Sequence, residues 1–277
     1  MNNFLQRLCV GGALGGFFCF VIYVSHNPFF QPLFVLVVAS IIVSALWEYY
    51  KIAKVNGCQP VEVIGIITSV CFVYALYLTM GQDQPDLPTI LLGFFFLTAF
   101  IFYFISGINP LVNLAITAFG VIYLAVPLSL MILIDIDYGR YWMLYLLLVT
   151  KFTDMGAYFA GKQWGKHKLA PVISPKKTWE GAAAGFFFGM LASFALDKFS
   201  LEYYNLPLFS SSLQSLFFGG LMSIAAQVGD LSESLLKRDS GVKDSNKLPG
   251  LGGILDMVDS LIFTTPLLYY FLKLFRI

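Results

Sequence analysis

PLVNLAITAFGVIYLAVPLSLMILI, residues 110–134, runs for 25 positions without an Asp, Glu, Lys, Arg or His. A helix that crosses a bilayer needs roughly 20 apolar residues, so this stretch alone reads as a membrane span. The rest of the chain agrees. A soluble domain of 277 residues carries about a quarter charged residues. This chain carries 12%, with 28 phenylalanines and a mean hydropathy of +0.78. One soluble core cannot hide that much apolar surface, whereas lipid accepts it.

Outward from this stretch, the other candidate spans are 8–25, 29–50, 61–80, 88–107, 141–160, 180–198, 213–229 and 253–272. The expected fold class is therefore all-α: a polytopic integral membrane protein with about nine transmembrane helices. It reads as a single membrane domain over 1–277, with N-terminal spans in 1–140 and the charged loops in 141–277. Arg7 before the first apolar run resembles a signal-peptide start. No small-residue cleavage site follows, so a retained first span is expected. The net charge of +1 excludes a global basic field and gives no case for nucleic-acid binding. Cys9, Cys19, Cys58 and Cys71 form no CxxC pair and read as small hydrophobes.

The loops set the orientation. Lys51 and Lys54 follow the second span, five lysines between Lys162 and Lys177 follow the sixth, and Lys237, Arg238, Lys243 and Lys247 follow the eighth. Asp83, Asp86, Asp135 and Asp137 follow odd-numbered spans. The positive-inside rule then puts the N-terminus and both basic loops in the cytoplasm, although Lys273 and Arg276 oppose an external C-terminus.

Two charged segments carry the chemistry. In the first, Asp154 lies near the cytoplasmic end of the sixth span, three residues after Lys151 on the same helix face. An ionisable residue at that depth is a functional candidate, the alternative being a self-neutralising Lys151–Asp154 pair. Gly156, Gly161 and Gly165 suit either close helix packing or a ligand. In Ser174-Pro175-Lys176-Lys177-Thr178, the Ser-Pro marks a turn near a helix start. Two lysines, the hydroxyls of Ser174 and Thr178, and free N–H groups would there make an anion site. The alternative is a basic flank that holds topology. His167, the only histidine in a charged loop, is assigned no role.

The second segment is SESLLKRDSGVKDSNKLPGLGGILDMVDS, residues 232–260, with four basic and five acidic residues. If the eighth span continues as a helix, Asp230, Glu233, Ser234, Lys237 and Arg238 share one face. Lys243 and Asp244 follow, Pro249 and Gly250 break the helix, and Asp256 and Asp259 share a face at the start of the ninth span. Two acids inside a span are more than capping requires. Converging carboxylates suit Mg²⁺, and Lys and Arg suit phosphates; together they are equipment for phosphoryl or nucleotidyl transfer.

Gly229-Asp230-Leu231-x-Glu233-Ser234-x-x-Lys237-Arg238, then Lys243-Asp244, then Pro249-Gly250-x-Gly252-Gly253-x-x-Asp256-x-x-Asp259-Ser260, resembles the signature of the phosphatidate cytidylyltransferase (CDP-diacylglycerol synthase) family. The segment Ser174–Gly181 and Asp154-x-Gly156-Ala157-Tyr158 resemble its other motifs, and the likeness covers roughly 150–262. The resemblance implies transfer of CMP from CTP to phosphatidic acid, in the cytoplasmic membrane, by a homodimer that needs Mg²⁺, in many members paired with K⁺. It implies Asp230 and Asp256 as metal ligands, with Asp259 close by. Ser234, Lys237, Arg238, Lys243 and Asp244 would line the substrate-phosphate site, beside Asp154 and the Ser174–Thr178 run. The chain departs from the pattern at Leu251, where the family has His, and at Met257, where it has Arg. The Asp244–Pro249 connection is also one residue short. Activity on another lipid phosphate, a weakened paralogue and a transporter are the rival readings.

Overall fold

The computed structural model describes residues 15–79, 86–242 and 253–275. Lys243, Asp244 and Leu251 lie outside the described residues. The chain forms two compact units, residues 1–137 with 239–258 and residues 138–238 with 259–277.

The first unit contains α1 (Gly15–Ser25), α2 (Gln31–Val55), α3 (Glu62–Thr79), α4 (Leu87–Ser106) and α5 (Pro110–Tyr138). Proline stands in the first turn of α2, α4 and α5, where its missing N–H costs no intrahelical bond. Gly107 ends α4 in the left-handed region, at φ 63°. Pro127 cannot donate within α5, and the preceding turn, Val121–Ala125, widens to π geometry. The link between α2 and α3 is tied down by donors and acceptors that would otherwise be unpaired. Gln59 N–H donates to Asn113 Oδ1 at 2.8 Å, Val61 N–H to Thr117 Oγ1 at 3.0 Å, and Tyr103 Oη to the Gln59 carbonyl at 3.1 Å. Asp135 was read as a loop residue; it is instead buried in the last turn of α5.

The second unit contains α6 (Arg140–Trp164), strands β1 (Lys168–Ala170) and β2 (Ser174–Thr178), α7 (Trp179–Tyr204), α8 (Ser212–Asp239), and the part of α9 (Ile254–Phe275) from Asp259 onward. Glycine lets α6, α7 and α8 approach closely. A Cβ on Gly189 of α7 would fall 1.8 Å from Ser223 Oγ and 2.5 Å from Thr153 Oγ1. Those two hydroxyls hydrogen-bond each other at 2.9 Å, an interhelical contact of the kind that holds helices together in lipid. Asp197, also buried, accepts from the backbone N–H groups of Leu208 and Phe209, both at 3.1 Å.

Helices thus stand at all nine positions read as spans, but only six are long and apolar enough to cross a membrane by length and composition among the described residues. Those six include α2 to α5, α7 and α9. Helices α6 and α8 carry their charges within the helix, and the described part of α1 is short. The apolar faces point outward: Phe104, Ile105 and Leu111 are each at least 80% exposed, which lipid accepts and water does not. The all-α class holds, with one small two-stranded ribbon added. Residues 174–178 are a strand, not a turn, paired antiparallel with β1 in the register Lys168↔Thr178 and Ala170↔Ser174. Pro175 fits because a two-stranded ribbon has free edges.

Candidate active site

In the second unit, β2 passes directly into α7 at Thr178, which has extended backbone and accepts the Gly181 N–H on its Oγ1 at 3.2 Å. Glu180, in the same first turn, accepts from the backbone N–H of Lys166 at 3.1 Å and of His167 at 3.2 Å. It also meets His167 Nδ1 at 2.6 Å. Trp179 N–H donates to the His167 carbonyl at 2.9 Å, so with Gly181 two of the helix-start donors expected for an anion already have partners in the chain. Thr178 serves as the cap, and His167, given no role from sequence, anchors the hairpin.

This anchoring hangs the lysines of β2 over a cavity of about 590 Å³, within the roughly 300–1,000 Å³ range of small-molecule sites. Lys162 from α6, Lys168 from β1, and Lys176 and Lys177 from β2 line it, facing Asp154 of α6 and Asp230 of α8. Ser174, Thr178, Tyr158 and Gln227 complete the polar lining. Lys177 Nζ pairs with Asp230 Oδ2 at 2.7 Å. Asp154 also meets Lys151 Nζ at 3.6 Å, so the self-neutralising pair considered from sequence does form.

Gly229 explains how Asp230 is placed. A Cβ there would sit 2.5 Å from the Asp259 carbonyl and 3.0 Å from Ser260 Cα, so only glycine allows α8 this close to α9. Asp230 follows at once, which brings it near Asp259, itself 8% exposed. Ser260 Oγ stands 3.4 Å from Asp154 Oδ1 and 3.1 Å from Asp259 Oδ1. Asp154, Asp230 and Asp259 lie close enough to feel one another's charge, an arrangement that favours a cation nearby. Among the described residues, no three His, Cys, Asp or Glu side chains group tightly enough to cage a metal by themselves. Mg²⁺ needs no such cage, because it is held by one or two carboxylates and takes its other ligands from phosphate and water. The hard oxygen donors of Asp230 and Asp259 fit it chemically.

The remaining predicted residues fall elsewhere. Helix α8 does continue through the charged stripe to Asp239. Yet Lys237 pairs with buried Glu233 at 2.6 Å, Arg238 Nε donates to the Ile173 carbonyl at 3.0 Å, and neither they nor Ser234 line the cavity. Arg238 therefore holds the β1–β2 turn from below. Asp256, in the first unit, accepts the Gly253 N–H on Oδ2 at 2.8 Å and so caps its own helix.

Sequence reasoning passed over two features. Gln227 lines the cavity one turn before Asp230, and an amide inside an apolar run was its signal. Glu48, on α2 of the first unit, is 1% exposed and accepts the N–H groups of Ile254 and Leu255 at 3.0 and 2.9 Å, which makes it the N-terminal cap of α9. A lone carboxylate inside a 25-residue apolar helix was the signal there.

Helices suited to lipid, with a cavity lined by lysines and by Asp154 and Asp230, define a membrane protein equipped to hold a polyanion next to a cation. Comparison with known proteins makes this specific. The chain belongs to the cytidylyltransferase family, which it matches over residues 5–275. It is 30% identical to a phosphatidate cytidylyltransferase of Chlamydia pneumoniae over 98% of this chain and 92% of that protein. It is 32% identical to one of Bacillus subtilis over 99% of this chain and all of that protein. A Staphylococcus aureus phosphatidate cytidylyltransferase is 45% identical over 131 residues, 47% of this chain and 48% of that protein.

Proposed function

We propose that this chain transfers CMP from CTP to phosphatidic acid, giving CDP-diacylglycerol and pyrophosphate. The observation that carries the reading is the cavity, lined by four lysines together with Asp154 and Asp230, in a member of the cytidylyltransferase family. The lysines would take the triphosphate and the lipid phosphate. Mg²⁺, held by Asp230 and Asp259 and, as the resemblance implies, Asp256, would supply charge neutralisation on the phosphates. An oxygen of the phosphatidate phosphate bonds to the α-phosphorus of CTP, the α–β bridging P–O bond breaks, and pyrophosphate carries off that electron pair. No side chain has to act as general base, because a phosphate monoester is already largely ionised at neutral pH. The basic loops support a cytoplasmic active site and N-terminus in a bacterial inner membrane, and the resemblance supports a homodimer.

The test is pyrophosphate release from CTP by detergent-purified protein. Release that requires both phosphatidic acid and Mg²⁺ is expected. Release with an isoprenoid phosphate but not with phosphatidic acid would replace the acceptor. No release with any lipid phosphate would refute the reading.

A further inference from the structure

We infer that Lys177 is a built-in stand-in for the metal: it neutralises Asp230 while no divalent cation is bound and exchanges to the nucleotide phosphates when one binds. The inference rests on the proposed role of Asp230 as metal ligand. Its basis is geometric. Lys177 Nζ is itself solvent-inaccessible, and it lies 2.7 Å from Asp230 Oδ2. A buried ammonium needs a counter-charge, and a carboxylate flanked by Asp154 and Asp259 needs a cation. The pair answers both needs within one cavity wall.

A divalent cation on Asp230 would repel the ammonium and take over its partner oxygen. The freed lysine stem remains tethered to β2, whose backbone is fixed by pairing with β1 and by the Thr178 cap. Its head stays within reach of the cavity, where a bound triphosphate would offer a new counter-charge. Metal and nucleotide then bind with positive coupling, since each relieves the cost of displacing Lys177 for the other. Lys176 lines the same cavity without this pairing and provides the control for a general loss of positive charge.

The experiment titrates Mn²⁺, read by its electron paramagnetic resonance signal, into full-length detergent-purified protein with and without CTP and without lipid acceptor. Wild type is compared with Lys177→Met, Lys177→Gln, Lys176→Met and Asp230→Asn. In the absence of CTP, both Lys177 variants are expected to bind Mn²⁺ about tenfold tighter than wild type, because one ion-paired competing cation is gone. Lys176→Met is expected to change affinity much less. CTP should strengthen Mn²⁺ binding in wild type and do so less in the Lys177 variants. Equal tightening in the Lys176 and Lys177 variants, or none in the latter while Asp230→Asn loses Mn²⁺, would overturn the exchange but leave the metal site standing. Asp230→Asn that binds Mn²⁺ like wild type would overturn the metal site, and the exchange with it.

Discussion

Replacing Glu48 by alanine tests how the start of α9 is held. Its two carboxylate oxygens accept the N–H groups of Ile254 and Leu255, two of the four donors that a helix start leaves without an intrahelical partner. Leu255 is 1% exposed and Glu48 equally buried, so water does not readily replace the lost acceptor. Each unsatisfied buried donor costs about 1–3 kcal/mol, so the two cost about 2–6 kcal/mol, and loss of an anion at a helix N-terminus adds about 0.3–2 kcal/mol. Removal of the buried charge itself gives part of this back, which leaves a net loss of about 2–4 kcal/mol in local stability. Hydrogen exchange followed by mass spectrometry on peptides covering the start of α9 reads this directly. In the limit where closing outpaces exchange, the amides of Ile254 and Leu255 should exchange about 30- to 1,000-fold faster. Glu48→Gln keeps an acceptor oxygen and should fall between wild type and alanine. Wild-type exchange at these amides in Glu48→Ala would refute the cap. Acceleration spread evenly over every helix would show that Glu48 acts on the whole unit and not on this end.

Asp230→Ala, and Asp256→Ala as the resemblance implies, should lower Mg²⁺-dependent pyrophosphate release by about 10²-fold or more while the protein still inserts and purifies; near-normal turnover in either variant removes that residue from the metal role. Gly189→Val drives a side chain into the Thr153–Ser223 contact and should lower the melting temperature of the detergent-purified protein, at a cost of about 1–3 kcal/mol or more. Asp197→Ala strands the N–H groups of Leu208 and Phe209, and should cost about 2–4 kcal/mol in a denaturant titration without changing the Mg²⁺ requirement. Glu180→Ala releases the backbone at Lys166 and His167, so limited trypsin digestion should cut after Lys166 or Lys168 several-fold faster than in wild type.

Membrane character could be read from sequence because lipid imposes long apolar runs, and all nine positions became helices. Where those helices carry charge inside themselves, as in α6 and α8, composition could not separate a span from a helix that only borders the membrane. The identity of the phosphate-handling segments was legible from Asp154, Asp230 and the Ser174–Thr178 run, because cations and carboxylates are rare in this chain and cluster visibly. Their partners were not legible. That Lys177 faces Asp230, and that Arg238 faces a backbone carbonyl instead of substrate, depends on how β2 lies across α8. The strand was missed because a lysine-rich five-residue segment has no apolar alternation to mark it. The glycines were ambiguous for a different reason: helix packing and ligand approach both ask for a missing Cβ. At Gly156 the neighbour is Phe188, so packing is the answer there.

The absence of any loop between β2 and α7 ties the position of the β2 lysines to the start of the helix. Lys177 stands immediately before the Thr178 cap, so the identity of the lysine that meets Asp230 is a matter of counting back from that cap. One residue inserted between Lys177 and Thr178 would move Lys177 a place back from the cap and out of its pairing with Asp230. The segment therefore works like a ratchet tooth set against a fixed stop. Its length, as much as its composition, decides which side chain meets Asp230.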